Sequence, residues 1–117
     1  MHNKEKTGDV TPDGESTLKI DKDGFAKRWF NKQGQFHRRD GPAVEYKSGT
    51  KGYYVNGKLH RLDGPAVEFA SGTKEWWIDD KKYSYEDWKK EVEHRKNLDT
   101  IYGKGSEVDL NLKGFNA

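Results

Sequence analysis

Tyr53-Tyr54-Val55-Asn56-Gly57-Lys58-Leu59-His60-Arg61-Leu62-Asp63-Gly64-Pro65-Ala66-Val67-Glu68-Phe69 is the stretch that decides the fold. Asn56-Gly57 is the dipeptide most typical of a type I′ hairpin turn, where both central residues need positive φ. It is flanked by an aromatic-aromatic-Val run and by Lys58-Leu59-His60, which read as the two strands of the hairpin. Asp63-Gly64-Pro65 then breaks the ladder, because Pro donates no backbone hydrogen bond and Asp-Gly favours a turn. Val67-Glu68-Phe69 opens another strand.

Working outward, the same phrase returns. Asp40-Gly41-Pro42-Ala43-Val44-Glu45-Tyr46 recurs as Asp63-Gly64-Pro65-Ala66-Val67-Glu68-Phe69, a period of 63 minus 40, or 23 residues. Ser48-Gly49-Thr50-Lys51 recurs as Ser71-Gly72-Thr73-Lys74, and Tyr53 to Lys58 as Trp76-Trp77-Ile78-Asp79-Asp80-Lys81. A more divergent copy precedes these, in which Trp29 to Asp40 aligns with Tyr53 to Asp63 once one residue is inserted before the turn, with Gly34 in the place of Gly57. Asp79-Asp80 in place of Asn-Gly makes the last turn less favourable but still feasible. A single copy cannot bury its own face, so the copies must pack on one another. The expected fold is mainly β: an antiparallel meander of stacked short hairpins from roughly two and a half copies, closed by one C-terminal helix.

The boundaries follow from changes in composition. Residues 1–16 hold Asn, Lys, Glu, Thr, Gly, Asp, Pro and Ser with a single Val and read as a disordered N-terminal tail. Residues 17–83 form the β-repeat domain. Ser84 is a good N-cap with Asp87 three residues on, and Tyr85, Trp88 and Val92 recur at helical spacing, which predicts an amphipathic capping helix over 84–98. Such a helix would cover a sheet face or edge otherwise open to pairing. Residues 99–117 read as an irregular tail, in which the alternation of Val108, Leu110 and Leu112 allows a last strand.

Bulk properties narrow the function classes. In 117 residues with 31% hydrophobic and 36% charged side chains, one thin-cored domain is the expectation. Aromatic residues at 13% favour sheet faces. There is no cysteine, which excludes disulfides and thiolate metal sites and tilts the location toward a reducing cytoplasm. A formal charge of +2 with acids and bases interspersed is not the footprint of a duplex-binding domain. No run is apolar enough to span a bilayer, so no membrane association is expected.

Tyr54-Val55-Asn56-Gly57-Lys58-Leu59-His60-Arg61-Leu62-Asp63-Gly64-Pro65-Ala66 resembles the MORN-type repeats of bacterial and bacteriophage proteins, over about residues 24–83. The close through Trp76-Trp77-Ile78-Asp79-Asp80-Lys81-Lys82-Tyr83-Ser84-Tyr85-Glu86-Asp87-Trp88 is similar to that of small phage proteins of this kind. The Y-x-G spacing and G-x-G elements of the eukaryotic branch are missing, so its membrane and phospholipid roles do not carry over. What the resemblance implies is stacked hairpins presenting a surface, and an accessory factor acting on host defence or host enzymes in the cytoplasm of a bacterial host.

His37-Arg38-x-Asp40 and His60-Arg61-x-Asp63 are the most chemical-looking groups. Their repetition argues for packing, with His against an aromatic and Arg paired to Glu or Asp, since an active site needs one constellation in one place. No nucleophile set, phosphate loop or paired carboxylates on a cleft can be assigned, so neither enzyme activity nor a cofactor or metal is expected. In a strand neighbours point to opposite faces. Trp29, Tyr53 and Trp76 therefore share one face with Val55 and Ile78, the expected core, and Phe30, Tyr54 and Trp77 share the other. That second set, rimmed by Arg38, Arg39 and Arg61, is the candidate binding surface, either covered by the helix through Trp88 and Tyr85 or exposed. Three functions fit: engagement of a host protein, binding of single-stranded nucleic acid or a nucleotide by stacking on Tyr54 and Trp77, and self-assembly into homo-oligomers through open sheet edges.

Overall fold

The computed structural model describes residues 9–10 and 14–102. Turn chemistry shapes it as the repeat requires. Asn56 and Gly57 take φ of 50° and 83°, the left-handed pair of a type I′ turn, and join β6 (Tyr54–Val55) to β7 (Lys58–Leu59) with Val55 opposite Lys58. Asp79 and Asp80 adopt the same conformation, with φ of 49° and 69°, between β9 (Lys74–Ile78) and β10 (Lys81–Tyr83). The Asp80 carboxylate accepts the Leu59 N–H at 2.9 Å, a bond that glycine could not make and that offsets part of the strain.

Around these hairpins run β1 (Asp9–Val10), β2 (Thr17–Ile20), β3 (Ala26–Phe30), β4 (Val44–Tyr46), β5 (Lys51–Gly52) and β8 (Val67–Glu68). Among the described residues they form one antiparallel sheet in the order β1-β2-β3-β4-β5-β8-β9-β10, with β6 and β7 as a separate two-stranded sheet. The aromatic strand expected from Lys51 to Val55 is thus split at Tyr53, although the Tyr53 N–H still bonds the Ala66 carbonyl at 2.7 Å. In the last copy the same strand runs unbroken as β9.

The repeated phrase of each copy is a device for holding a half-buried arginine. The Arg38 guanidinium lies 4.0 Å from the centre of the Trp29 ring, and that of Arg61 lies 3.8 Å from the Tyr53 ring. Arg61 Nε donates to Asp63 at 2.9 Å, and Nη1 donates to the Pro65 carbonyl at 2.9 Å and to Glu68 at 3.1 Å. Arg38 repeats the pattern with Asp40 at 3.0 Å and the Pro42 carbonyl at 3.1 Å, and sits 3.7 Å from Glu45. The other side of each guanidinium rests on glycine, since a Cβ on Gly41 or Gly64 would fall 2.7 Å or 2.6 Å from the arginine Cζ. Ala43 and Ala66, next in the phrase, are wholly buried.

Each histidine also links neighbouring copies: His37 Nδ1 accepts the N–H of Asn56, and His60 Nδ1 accepts that of Asp79, at 2.9 Å and 3.1 Å. Each histidine therefore reaches the turn of the following copy. A type I′ turn points its first central N–H away from its own ladder, and the imidazole supplies the acceptor that this donor would otherwise lack.

The helix α1 (Tyr85–Tyr102) begins where the repeat ends. Ser84 occupies the position 23 residues after Arg61, and its hydroxyl caps the helix by accepting the Asp87 N–H at 3.1 Å. With no arginine to lie over it, Trp76 instead meets Trp88 at 4.6 Å and Tyr85 at 4.8 Å between ring centres. Ile78, Trp88 and Val92 form a buried cluster with Trp76 and Tyr83 packed against it. The Trp88 indole N–H donates to the Arg61 carbonyl at 2.9 Å. The helix runs four residues beyond the expected end at 98, and Arg95, bonded to Glu91 at 3.0 Å and 3.5 Å from Asp79, ties its middle to the last turn. The possible strand at 106–112 lies outside the described residues.

At the other end, Ser16 is fully buried and Glu15 bonds His37. The built part of the repeat domain therefore takes in residues that composition assigns to the tail.

The arginine sandwich predicts a specific coupling. Gly64→Ala should cost about 1–3 kcal/mol of stability through overpacking, read as a fall in the urea midpoint. Combined with Arg61→Ala, which removes the clashing group, the same glycine substitution should cost markedly less, so the double-mutant cycle should close with a large coupling energy.

Candidate binding grooves on the turn face

Two successive His-Arg-x-Asp-Gly turns stand side by side because each histidine and arginine bonds the next copy. Besides the imidazole contacts, the Arg38 N–H donates to the Tyr54 carbonyl at 3.0 Å and the Arg61 N–H to that of Trp77 at 3.1 Å. Between the turns at 38–41 and 60–63 lies an open groove of about 430 Å³, floored by Tyr53 and Val55. A second groove, of about 460 Å³, follows between the turn at Leu62-Asp63 and the helix residues Trp88, Val92 and Lys96. Leu62 lines both and is 36% exposed.

The His, Arg and Gly positions of the repeated phrase are taken up by contacts within the fold, and the position between Arg and Asp varies, carrying Arg39 in one copy and Leu62 in the next. At the first copy this position is engaged from the N-terminal side. The Glu15 carboxylate accepts from Arg39 Nε at 2.9 Å and meets His37 Nε2 at 2.7 Å. Because His37 Nδ1 accepts the Asn56 N–H, Nε2 carries the hydrogen given to Glu15. The hydrogen bonds from Arg39 and then His37 hold the Glu15 carboxyl below its ordinary 4.5. At the second copy Leu62 stands at this position; Arg39 and Leu62 both line the first groove, and Leu62 lines the second as well.

The binding surface expected from strand alternation does not come together as one patch. The face assignment itself agrees with the contacts: Tyr53 lies under Arg61 on the turn face, and Ile78 and Trp76 on that same face lie under the helix. Phe30, Tyr54 and Trp77 point the other way and are all partly buried. Phe30 packs on Phe36 at 5.4 Å and Phe36 on Tyr54 at 5.2 Å, while the Trp77 indole donates to Glu75 at 3.0 Å. The Tyr54 ring covers Gly52, whose Cβ would lie 3.0 Å from it, and desolvation raises its phenol pKa. Arg38 and Arg61 lie with Trp29 and Tyr53, so these arginines and the second aromatic set face opposite sides. The helix covers the first face, not the second.

The alternation of the strands assigns the aromatic rings to faces, yet nothing in it says which face the arginines choose. Glu15 and Leu62 carry no local signal either. Glu15 sits in a polar stretch, and Leu62 is visible only as the apolar departure from Arg39 in an otherwise repeated phrase. Among the described residues no three His, Asp or Glu side chains gather in a way that could hold a metal ion, and no helix is long and apolar enough to cross a membrane. No family model, curated protein or solved structure matches the chain.

His60 lines the first groove, and its pKa is lowered from 6.5 chiefly by desolvation, with Asp79 opposing the shift and Arg95 and Arg39 adding to it. The folded state thus binds this proton less well than the unfolded chain does. The contribution of His60 is complete above the ordinary imidazole value and is lost as the pH falls through it toward the folded value. The urea midpoint of the parent should therefore fall between pH 7.5 and 5.5 by more than that of His60→Gln. Glu15, held low, loses its contribution only in more acidic solution.

Proposed function

We propose that this chain is a non-enzymatic protein-binding module that engages its partner through the grooved turn face. The observation that carries this reading is the division of labour within the repeated phrase. His, Arg, Asp, Gly, Ala and Glu are consumed in building a rigid stepped surface, and Leu62, with the groove floor of Tyr53 and Val55, is left for contact. Rigid frameworks that hold apolar grooves between charged rims suit protein partners, whose anchors are buried side chains surrounded by polar contacts.

The MORN-type resemblance adds the setting: a bacteriophage accessory protein that inhibits or modulates a host protein, defence proteins included, in the bacterial cytoplasm. The rival readings draw less support. A single-strand binder needs its arginines beside its stacking rings, whereas Arg38 and Arg61 are bonded to Asp40, Asp63 and Glu68 on the face away from Tyr54 and Trp77. Assembly through the last sheet edge is opposed by β10, which is only three residues long and carries Lys81 and Lys82, features that blunt edge pairing.

Immobilised full-length chain should retain one dominant protein from a bacterial lysate. Leu62→Asp, at a partly exposed site that leaves the fold intact, should reduce that capture at least about tenfold, the effect of losing one well-seated anchor. Equal capture by Leu62→Asp, or retention of nothing by the parent, would remove the reading. Trp fluorescence unchanged by oligonucleotides at low salt is expected.

A further inference from the structure

The two histidines of the repeat differ in one respect, and that difference bears on what the first groove holds. His37 and His60 stand 23 residues apart and use Nδ1 alike, accepting the N–H of Asn56 and of Asp79, so in both rings the hydrogen sits on Nε2. At His37 that hydrogen goes to Glu15 at 2.7 Å, and the side chain is 1% exposed. At His60 no described residue accepts it. That side chain is 20% exposed and lines the first groove.

The sheet register explains the difference. Lys19 of β2 lies opposite Arg28, the residue before Trp29, and Val44 of β4 lies opposite Gly52, the residue before Tyr53. Four residues back from Lys19 and from Val44 stand Glu15 and Asp40, which therefore hold corresponding places one copy apart. Asp40 is a methylene shorter, and its carboxylate accepts from Arg38 Nε at 3.0 Å. The second imidazole thus keeps its donor, while the carboxylate placed to meet it is turned aside.

We propose that the first groove takes an acidic side chain, glutamate or aspartate, of the partner protein, its carboxylate accepting from His60 Nε2–H as Glu15 accepts from His37. This rests on the partner-binding reading above and names the chemistry of the contact. Net charge does not choose the occupant, because the lining sets Arg38, Arg39 and Arg61 against Asp40 and Asp63. The distribution of bonds does. Both aspartates are engaged by arginines, whereas the second terminal nitrogens of Arg38 and Arg61 have no acceptor among the described residues. Donors are therefore in surplus beside the imidazole. A carboxylate only accepts, through two oxygens, and bonds to an ionised acceptor are the stronger kind. Tyr53, Val55 and Leu62, in the same lining, suit the methylenes of the acidic side chain and an apolar neighbour.

The test selects displayed random heptapeptides against the immobilised full-length chain. The enriched peptides should share an aspartate or glutamate, and changing it to asparagine or glutamine should weaken binding at least about tenfold, as for loss of a charged hydrogen bond. His60→Asn keeps an oxygen where Nδ1 accepts the Asp79 N–H but removes Nε2. Its urea midpoint should stay near that of the parent while its affinity for the peptide falls by a similar factor. His60→Gln, which carries an amide N–H near the Nε2 position, should bind more tightly than His60→Asn although it gives up the turn bond. The losses from the peptide change and from His60→Asn should not add, since both remove one bond. Enriched peptides without an acidic residue, acidic peptides bound equally by His60→Asn, or no enrichment at all would each overturn the proposal. The protein retained from lysate separates this failure from that of the partner-binding reading. Retention by His60→Asn equal to the parent's, together with loss in Leu62→Asp, would leave the protein partner standing and refute the carboxylate contact. Dimers in sedimentation that vanish in His60→Asn would assign the groove to a second copy and refute it equally.

Discussion

A guanidinium pressed between an aromatic ring and a bare glycine backbone is the contact on which the rest of this structure depends. Little apolar mass is available to a chain in which 36% of residues are charged, and the buried cluster under the helix holds only Ile78, Trp88 and Val92. Elsewhere the buried apolar residues are Ala26, Trp29, Ala43, Val44 and Ala66, and the half-buried arginines Arg38 and Arg61 extend this thin interior by covering the Trp29 and Tyr53 rings. The Arg61 side chain is 20% exposed, so its stacking on Tyr53 lies between the exposed case of about 0.5–1 kcal/mol and the desolvated case of about 2. Lysine could not substitute, because a point charge neither stacks nor forks between Asp63, Pro65 and Glu68. One requirement thereby dictates the aromatic, the aspartate, the glycine, the proline carbonyl and the glutamate at once.

The histidines solve the complementary problem. A hairpin turn with two positive φ values leaves its leading N–H facing out of its own ladder, and in a stack that N–H points at the neighbouring copy. Placing an imidazole there converts a local liability into the bond that sets the spacing between copies. At the first copy the other imidazole nitrogen of His37 is met by Glu15, so the array is closed on its N-terminal side by a carboxylate. On its C-terminal side it is closed by a helix that lays Trp88 and Tyr85 over Trp76, where an arginine would otherwise lie. Polar closure at one end and aromatic closure at the other both answer the same need, which is to satisfy a unit that has no neighbour.

Much of this was legible in the residues because it is local or periodic. The Asn56-Gly57 turn, the 23-residue register, the split of aromatics between faces and the Ser84 cap each depend on neighbours a few positions away or on an exact copy. What the sequence does not disclose is the result of long-range choice. Arg38 could pair to either face as far as its neighbours show, and only packing on Trp29 decides it. Likewise a carboxylate at 15 in a polar stretch has no signature of its partner 22 residues on, and the helix end is extended past 98 by residues with no strong stop until Gly103. The candidate surface suffered most from this, since it needs the arginine side and the helix side to be known together.

Ser84 in the arginine position carries a consequence for how such a chain can change. Units upstream of Trp76 offer and receive the same bonds, so recombination between the near-identical segments around Asp40 and Asp63 could lengthen or shorten the sheet by whole copies while both closures stay intact. The number of grooves along the turn face is therefore a quantity that evolution can adjust by duplication, because each added copy brings its own contacts with it.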